Sequence, residues 1–275
     1  MSQRGGLDAA IAASLDGLLA ALALDGDEFP AAPTQLFDRI YGGQLLAQAL
    51  VAAGSTVDGR QVGSLHASFV KAGAPGSPIS VDVVRVRHGR SVAVRQVHLR
   101  QGDETLLLAL VTFHDTDGDA DVAPPPPPVD PPASTPVLQD WVQPLDIRMG
   151  EAPTFLGGGG TTPARSHWMR APRDVGDDPL LHAALLAYGS DFFLMDMVFR
   201  AHPSLLGPGR ANGFSLDHAL WFHRPVRFDE WHLHTQEAVA LVGDRGLARG
   251  AVHDQDGRLV ASVMQEVLVR PLPAR

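Results

Sequence analysis

Three polar side chains stand inside apolar stretches of the chain, and together they suit the handling of a water molecule. Asp191 ends the run LLHAALLAYGSD, Ser215 opens SLDHALWF, and Gln265 lies within LVASVMQEVLV. A carboxylate can take a proton from water, while a hydroxyl and an amide can hold that water by hydrogen bonds. The set therefore predicts a hydrolytic site with Asp191 as general base. Direct attack by the Asp191 carboxylate is the alternative.

A pair of glycines, Gly42 and Gly43, opens the helix-like stretch GGQLLAQALVAAG. Glycine allows the backbone to approach a ligand closely. Backbone N–H groups at the start of a helix stabilise negative charge. We therefore predict that Gly42 and Gly43 contribute to substrate binding and that a helix start supplies the oxyanion donors.

The same three polar residues have simpler interpretations. Asp191 could cap a helix, and Ser215 could be an ordinary hydroxyl at a strand edge. Gln265 is the most informative of the three, because a glutamine at a buried strand position needs hydrogen-bond partners. Glu266, the next residue, should point to the opposite face and be solvated.

Other residue clusters give weaker signals. His232 and His234 share a strand face and are candidates for zinc, but no H-E-x-x-H motif or third ligand accompanies them. His218, His223 and Arg224 form a polar cluster that we interpret as packing at a sheet edge. The chain contains no G-x-S-x-G motif, which argues against an α/β-hydrolase serine.

Composition narrows the class of partner. The net charge of −9, with Lys71 as the single lysine, argues against a nucleic-acid partner. The absence of cysteine excludes disulfides, thiolate metal sites and a cysteine nucleophile, and it fits a cytoplasmic location. No stretch approaches the apolar length of a membrane span. The N-terminal apolar residues recur at helical spacing, which predicts an amphipathic helix instead of a secretion signal.

A proline- and aspartate-rich segment, DTDGDADVAPPPPPVDPPASTPV, divides the chain at 115–137. Proline fits neither a helix interior nor a central strand, so we expect an extended linker over 115–139; a surface loop inside one domain is the alternative. Each flank shows a helix-like stretch followed by four strand-like runs. Two further strands are expected around 34–41 and 164–170. In the first half the helix covers 42–54 and the runs cover 64–73, 79–87, 92–100 and 105–114. In the second half the helix covers 180–195 and the runs cover 215–225, 231–242, 246–254 and 258–269.

This repeated order predicts two copies of one unit. Aligning Arg95 with Arg249 places Val111 opposite Gln265. Sliding one helix over the other places Val51 opposite Asp191. The polar positions of the second half would then be apolar in the first, which is typical of a duplicated unit with one surviving site.

Several motifs resemble the acyl-CoA thioesterase II family over nearly the whole chain. They are FDRIYGGQLLAQAL (37–50), HGRSVAVRQV (88–97), YGSD (188–191), SLDHALWFHRP (215–225) and QDGRLVASVMQE (255–266). The resemblance implies an α+β fold, a tandem (double) hotdog in which each of two long helices is wrapped by an antiparallel sheet. It also implies a catalytic set at Asp191, Ser215 and Gln265, with Ser where a family member has Thr.

The family resemblance further implies hydrolysis of acyl-CoA to a fatty acid and coenzyme A, with no cofactor and no metal. The N-terminal unit (1–114) would carry the degenerate site and the C-terminal unit (140–275) the catalytic one. A homo-oligomer, dimer or tetramer, is expected. The alternatives are a non-catalytic acyl-ligand-binding hotdog protein and another hotdog reaction such as enoyl hydration, although no G-D-x-N-P-x-H stretch is present.

Overall fold

The computed structural model describes residues 2–31, 38–115, 118, 120–162, 164–202, 205 and 211–271. Within these residues the chain forms four α-helices, twelve β-strands and one short 3-10 helix. The helices are α1 (Ser2–Ala21), α2 (Gly42–Gly54), α3 (Pro179–Ser190) and α4 (Leu194–Arg200). The strands are β1 (Glu28–Phe29), β2 (Gln61–Phe69), β3 (Ile79–His88), β4 (Val92–Gln101), β5 (Glu104–His114), β6 (Asp146–Arg148), β7 (Ala164–Arg170), β8 (Ala211–Ser215), β9 (Asp217–Phe222), β10 (His232–Val242), β11 (Arg245–His253) and β12 (Leu259–Pro271).

Most of the predicted elements are confirmed. The amphipathic N-terminus is helix α1, the strand expected around 164–170 is β7, and the eight strand-like runs match strands within a few residues. Gly102, Gly243 and Gly257 have positive φ and stand in the turns that join successive strands. The strand expected around 34–41 falls partly on residues 32–37, which lie outside the described part of the chain, and residues 38–41 form no strand.

The strands form one antiparallel sheet in the order β1-β3-β4-β5-β2-β9-β12-β11-β10-β7-β6, with β8 also paired to β12. The two halves of the chain meet at the β2–β9 pair, where Leu65 is opposite Leu220 and Ala67 is opposite His218. A sheet that continues from one half into the other leaves neither of these strands as an open edge.

Helices α2 and α3 pack against each other beneath this sheet. Helix α2 is buried almost throughout, and its leucines, such as Leu46 and Leu50, belong to the main hydrophobic core. The long helix expected over 180–195 is wrong in one respect, because it is broken after Ser190. Phe193 adopts a left-handed conformation with φ of 68°, which ends the first helical segment before α4 begins.

The β-strand register supports the internal repeat. In the β2–β9 pair, Leu65 lies opposite Leu220 and Ala67 lies opposite His218. A two-fold rotation that exchanges Leu65 with His218 therefore also exchanges their partners, Leu220 and Ala67. His66 pairs with Leu110, and Ala219, its counterpart, pairs with Met264. The following residues, Val111 and Gln265, are therefore equivalent, as the sequence alignment predicts.

Two other predicted equivalences are wrong. Val111 pairs with Arg95, whereas Gln265 pairs with Ala248, so Arg95 corresponds to Ala248 and not to Arg249. The one-residue slip reverses the face of the strand. Arg95 is fully buried, while the Arg249 side chain is exposed and paired with Glu237.

The helix alignment also shifts. Counting from the helix starts, Gly42 and Pro179, places Asp191 opposite Gly54 instead of Val51. The contacts agree with this count, because Asp191 bonds to the backbone of Gly43 and Gly54 lies against Leu180, the counterpart of Gly43.

The proline-rich segment runs along the second half of the chain. Its carbonyl groups accept hydrogen bonds from Trp168 and His253, through Asp130 and Pro124 respectively. Its described residues 120–131 form no regular element, as expected for this composition. In the part of the chain that the structure covers, no helix is long and apolar enough to cross a membrane.

Candidate active site

The carboxylate of Asp191 lies at the junction of the two central helices. Asp191 is the C-cap residue of α3, and its side chain accepts a hydrogen bond from the backbone N–H of Gly43 at the start of α2. The N-cap residue of α2, Tyr41, provides no side-chain cap of its own. Asp191 therefore caps α2 from the neighbouring helix, where the positive end of the helix dipole favours a negative charge.

The glycine pair makes this approach possible. A Cβ atom at Gly42 would lie 2.8 Å from Oδ2 of Asp191, and one at Gly43 would overlap the backbone carbonyl oxygen of Tyr188. Helix α2 must therefore begin with two glycines for the carboxylate to sit against it. Within the protein the glycine pair lies against the end of α3, and the predicted role of Gly42 and Gly43 in substrate binding stays a prediction.

Burial dominates the ionisation of Asp191. Only 9 % of the residue is exposed, and desolvation raises the pKa of its carboxyl above the ordinary value. His218 and hydrogen bonds from Gly43, Gln265 and Tyr41 act in the opposite direction. The result is a buried carboxylate that holds a proton more readily than a solvent-exposed one, as a general base for water should.

Tyr41 has one hydroxyl proton and two acceptors. The Tyr188 carbonyl lies 3.3 Å from its hydroxyl, and the Asp191 carboxylate is the other acceptor. A hydrogen bond to a charged acceptor is stronger than one to a neutral carbonyl, so the Tyr41 hydroxyl donates to Asp191 when the carboxylate is ionised. The Tyr41 ring packs on Phe192 at 5.1 Å, which fixes its position.

Gln265 connects the carboxylate to Ser215. On β12 it alternates with Val263 and Val267 on the buried face, whereas Glu266 points to the other face and pairs with Arg245, as predicted. Its Nε2 donates to Ser215 Oγ at 2.8 Å and also to Asp191. Since Ser215 Oγ accepts this bond, its own proton is available to a further acceptor.

His218 determines which way the amide of Gln265 points. Its Nδ1 lies 2.6 Å from Gln265 Oε1, and its Nε2 lies 2.9 Å from Ser190 Oγ. Burial lowers the pKa of His218, so the ring is neutral near pH 7. With Nε2 of Gln265 donating to Asp191 and Ser215, Oε1 must accept, so the proton of His218 resides on Nδ1. Ser190 then has one hydroxyl proton for two acceptors, His218 Nε2 and the Ala187 carbonyl at 2.8 Å.

The interpretation of His218 as part of an edge cluster is wrong. His218 is fully buried in the site, whereas His223 bonds to Ser262 and Arg224 pairs with Asp121. The signal that would have separated them is the strand period: His218 alternates with Leu220 and Phe222 on the inward face of β9. Tyr41 gave no comparable signal, because it precedes its helix outside any periodic stretch.

The histidines considered for zinc lie elsewhere in the core. His232 donates a hydrogen bond from Nδ1 to the backbone carbonyl of Glu230, and the His234 ring lies 5.1 Å from that of His167. Burial lowers the pKa of His234 to about 3. Among the described residues, no three His, Cys, Asp or Glu side chains are grouped so that they could hold a metal ion.

Comparison with known proteins places these features in a family. Residues 139–268 match the family model described as acyl-CoA thioesterase, and residues 31–114 match the model of the acyl-CoA thioesterase N-terminal domain. Acyl-coenzyme A thioesterase 8 of Mus musculus is 30% identical over 86% of this chain and 81% of its own length.

Solved structures agree. Acyl-CoA thioesterase II TesB2 from Mycobacterium marinum is 30% identical, with a TM-score of 0.78 over 93% of this chain and 98% of its own. A hot dog fold protein from Alicyclobacillus acidocaldarius, 23% identical, has a TM-score of 0.77 over 94% of this chain and 98% of its own. These likenesses confirm a hotdog fold, and the chain belongs to the acyl-CoA thioesterase II family.

Proposed function

We propose that Asp191, Ser215 and Gln265 form the site at which this acyl-CoA thioesterase hydrolyses its substrate. The observation that carries the proposal is the pair of bonds made by Gln265 Nε2, one to the buried Asp191 carboxylate and one to Ser215 Oγ. A carboxylate acceptor and a hydroxyl donor held by one amide suit a single water molecule. That the chain hydrolyses acyl-CoA thioesters at all follows from its relatives.

In this mechanism the water donates one hydrogen bond to Asp191 and accepts one from the Ser215 hydroxyl. Asp191 takes the proton while the water oxygen attacks the thioester carbonyl carbon. The start of α2 lies beside the carbonyl, and the backbone N–H of Gly42 stabilises the oxyanion, because the N–H of Gly43 is already bonded to Asp191. The C–S bond then breaks, and the proton passes from Asp191 to the departing thiolate of coenzyme A. The products are a fatty acid and coenzyme A.

His218 has a positioning role in this scheme. As the Nδ1–H tautomer, it fixes the oxygen of the Gln265 amide, so that both amide hydrogens face Asp191 and Ser215. It touches neither the water nor the substrate in the proposed arrangement.

Attack by the Asp191 carboxylate itself, with an anhydride intermediate, is the competing mechanism. The two differ in where a solvent oxygen goes. In one turnover with excess enzyme in H₂¹⁸O, water attack places all of the label in the fatty acid. Label found in the Asp191 side chain by peptide mass spectrometry would instead support the anhydride.

The substrate is an acyl-CoA of unspecified chain length, and the proposed reaction needs neither cofactor nor metal. Thiol release from a panel of acyl-CoAs, from short to long, tests the activity and the preference together. Binding without thiol release across the panel would favour a non-catalytic acyl-ligand-binding protein, and consumption of an enoyl-CoA without thiol release would favour hydration. A cytoplasmic location stays a prediction of the sequence.

We further propose two hotdog units, 1–114 and 140–275, each with a long central helix wrapped by its half of the sheet, joined by the linker 115–139. The limits of the two family matches support this division. A homo-oligomer, dimer or tetramer, remains part of the proposal. Exposed apolar side chains on the first half of the sheet, including Val84, Val86 and Leu110, support it.

A further inference from the structure

The internal two-fold relation defines a second position in the molecule equivalent to the Asp191 site. Gln265 corresponds to Val111, and His218 corresponds to Leu65. Ser215 corresponds to Val62, because Ser215 pairs with Val267 on β12 as Val62 pairs with Phe113 on β5. With Gly54 in place of Asp191, this second position has lost every polar group that the proposed chemistry uses.

A cavity of about 420 Å³ lies at this second position. It is lined by Gly54 and Val62, and by the start of α3 at Pro179 and Leu180, as the catalytic position is bounded by the start of α2. A volume of roughly 300–1,000 Å³ is typical of small-molecule sites. Its remaining apolar walls come from Val57, Phe113, Ala183, Phe222, Pro225 and Val226.

Basic side chains line the same cavity. Arg60 and Arg224 are both among its lining residues, as are His114 and His223. Arg60 donates through Nη2 to the carbonyls of Gly89 and Arg90, while its buried Nη1 makes no hydrogen bond, and the nearest carboxylate, of Asp115, is 4.0 Å away. The carboxylate of Asp178, which also lines the cavity, caps the Leu180 N–H of α3. The cavity thus combines apolar walls with two guanidinium groups, of which that of Arg224 is also paired with the exposed carboxylate of Asp121.

We propose that this cavity is a non-catalytic binding site for a fatty-acid anion, with the acyl chain against the apolar walls and the carboxylate at Arg60 and Arg224. The chemistry matches both ends of the ligand, since a bidentate acceptor suits guanidinium and a hydrocarbon chain suits the Val and Phe walls. The choice of a fatty acid rests on the proposed function, because such an acid is its product. The binding itself does not depend on Asp191.

Equilibrium binding of dodecanoate to the full chain tests the site. An S-dodecyl thioether of coenzyme A, which cannot be hydrolysed, first saturates the catalytic site. We expect one dodecanoate per chain to bind under these conditions, and dodecanol, which lacks the charge, to bind at least tenfold more weakly. Loss of all dodecanoate binding in the presence of the thioether would overturn the proposal.

Charge removal locates the site. Arg60→Gln and Arg224→Gln should each weaken the remaining dodecanoate binding by about tenfold, the effect of about 1.4 kcal/mol. Arg249→Gln, which removes an exposed, ion-paired arginine of β11, is the matched control and should leave it unchanged. Equal affinity in all three variants would overturn the assignment. Because no turnover is measured, failure of the proposed hydrolytic mechanism would leave these results untouched.

Discussion

Asp191 and Gly43 join the two halves of the chain through one hydrogen bond, from the first turn of α2 to the carboxylate that ends α3. The same bond holds the charge at the positive end of a helix dipole and buries it among Tyr41 and Gln265. Burial raises the pKa of this carboxyl, while the hydrogen bonds from Gly43, Gln265 and Tyr41 act in the opposite direction and favour its ionised form.

Asp191→Asn should lower kcat/KM for acyl-CoA hydrolysis by about 10²–10⁴-fold, because the amide cannot accept the proton of water. Thiol release measures the rate, and circular dichroism checks the fold. Asp178→Asn is the matched control: it makes the same change at the other end of α3, where asparagine caps a helix as well as aspartate. A folded Asp191→Asn enzyme within threefold of wild type would place the reaction elsewhere.

The pH dependence should report the environment of Asp191. Because burial raises its pKa, kcat/KM should fall with decreasing pH at values above the ordinary 3.8 of an aspartate, as the base becomes protonated. Gln265→Ala removes a hydrogen-bond donor that lowers this pKa, so the acidic limb of the profile of kcat/KM against pH should move to higher pH. The plateau of kcat/KM should also be lower. Gln96→Ala, a glutamine of β4, is the control. An acidic limb unmoved in Gln265→Ala would contradict the bond between the two side chains.

Much of the fold could be predicted because its signals are local. The alternation of apolar and polar residues predicts the strands, and glycines such as Gly102 and Gly243 stand where the turns between them require positive φ. The break at Phe193 could not be predicted, because a left-handed phenylalanine is stabilised only by its tertiary surroundings. These include the Trp141 and His167 rings, at 6.0 and 5.0 Å.

The candidate site was predicted only in part. Gln265 was identifiable as a polar residue in an apolar strand, and the register fixes its counterpart, Val111. The predicted equivalence of Val51 and Asp191 is wrong because a helix, unlike a strand, has no hydrogen-bonded pairing that fixes its alignment with another helix. Only contacts such as the one between Gly54 and Leu180 define how the two helices align. The interpretation of His218 as an edge residue is wrong because it rests on the sequence neighbours His223 and Arg224 and not on the strand face of His218.

The two glycines that open α2 should respond differently to alanine. At Gly43 the new methyl group meets the Tyr188 carbonyl, which is backbone and cannot easily move, so the free energy of unfolding should drop by about 1–3 kcal/mol. At Gly42 it meets the Asp191 carboxylate and the Phe69 ring, which are side chains, so stability should change less while activity falls.

Urea denaturation and kcat/KM, measured on both variants, test this contrast. Gly6→Ala is the control, because its methyl group would meet no atom within 4 Å. Wild-type activity in Gly42→Ala would show that the position of the Asp191 carboxylate is not critical.

His218 offers the sharpest test of the hydrogen-bond chain. His218→Leu installs the residue type that the first half carries at Leu65 and leaves Gln265 Oε1 without its donor. An unpaired buried acceptor costs about 1–3 kcal/mol, so we expect kcat to fall about 10- to 100-fold while the amide loses its fixed orientation. His218→Asn places an amide N–H where Nδ1 stands and should restore most of this loss. If Leu and Asn at this position gave the same kcat and the same acidic limb, His218 would only fill space, and the orientation of Gln265 would need another cause.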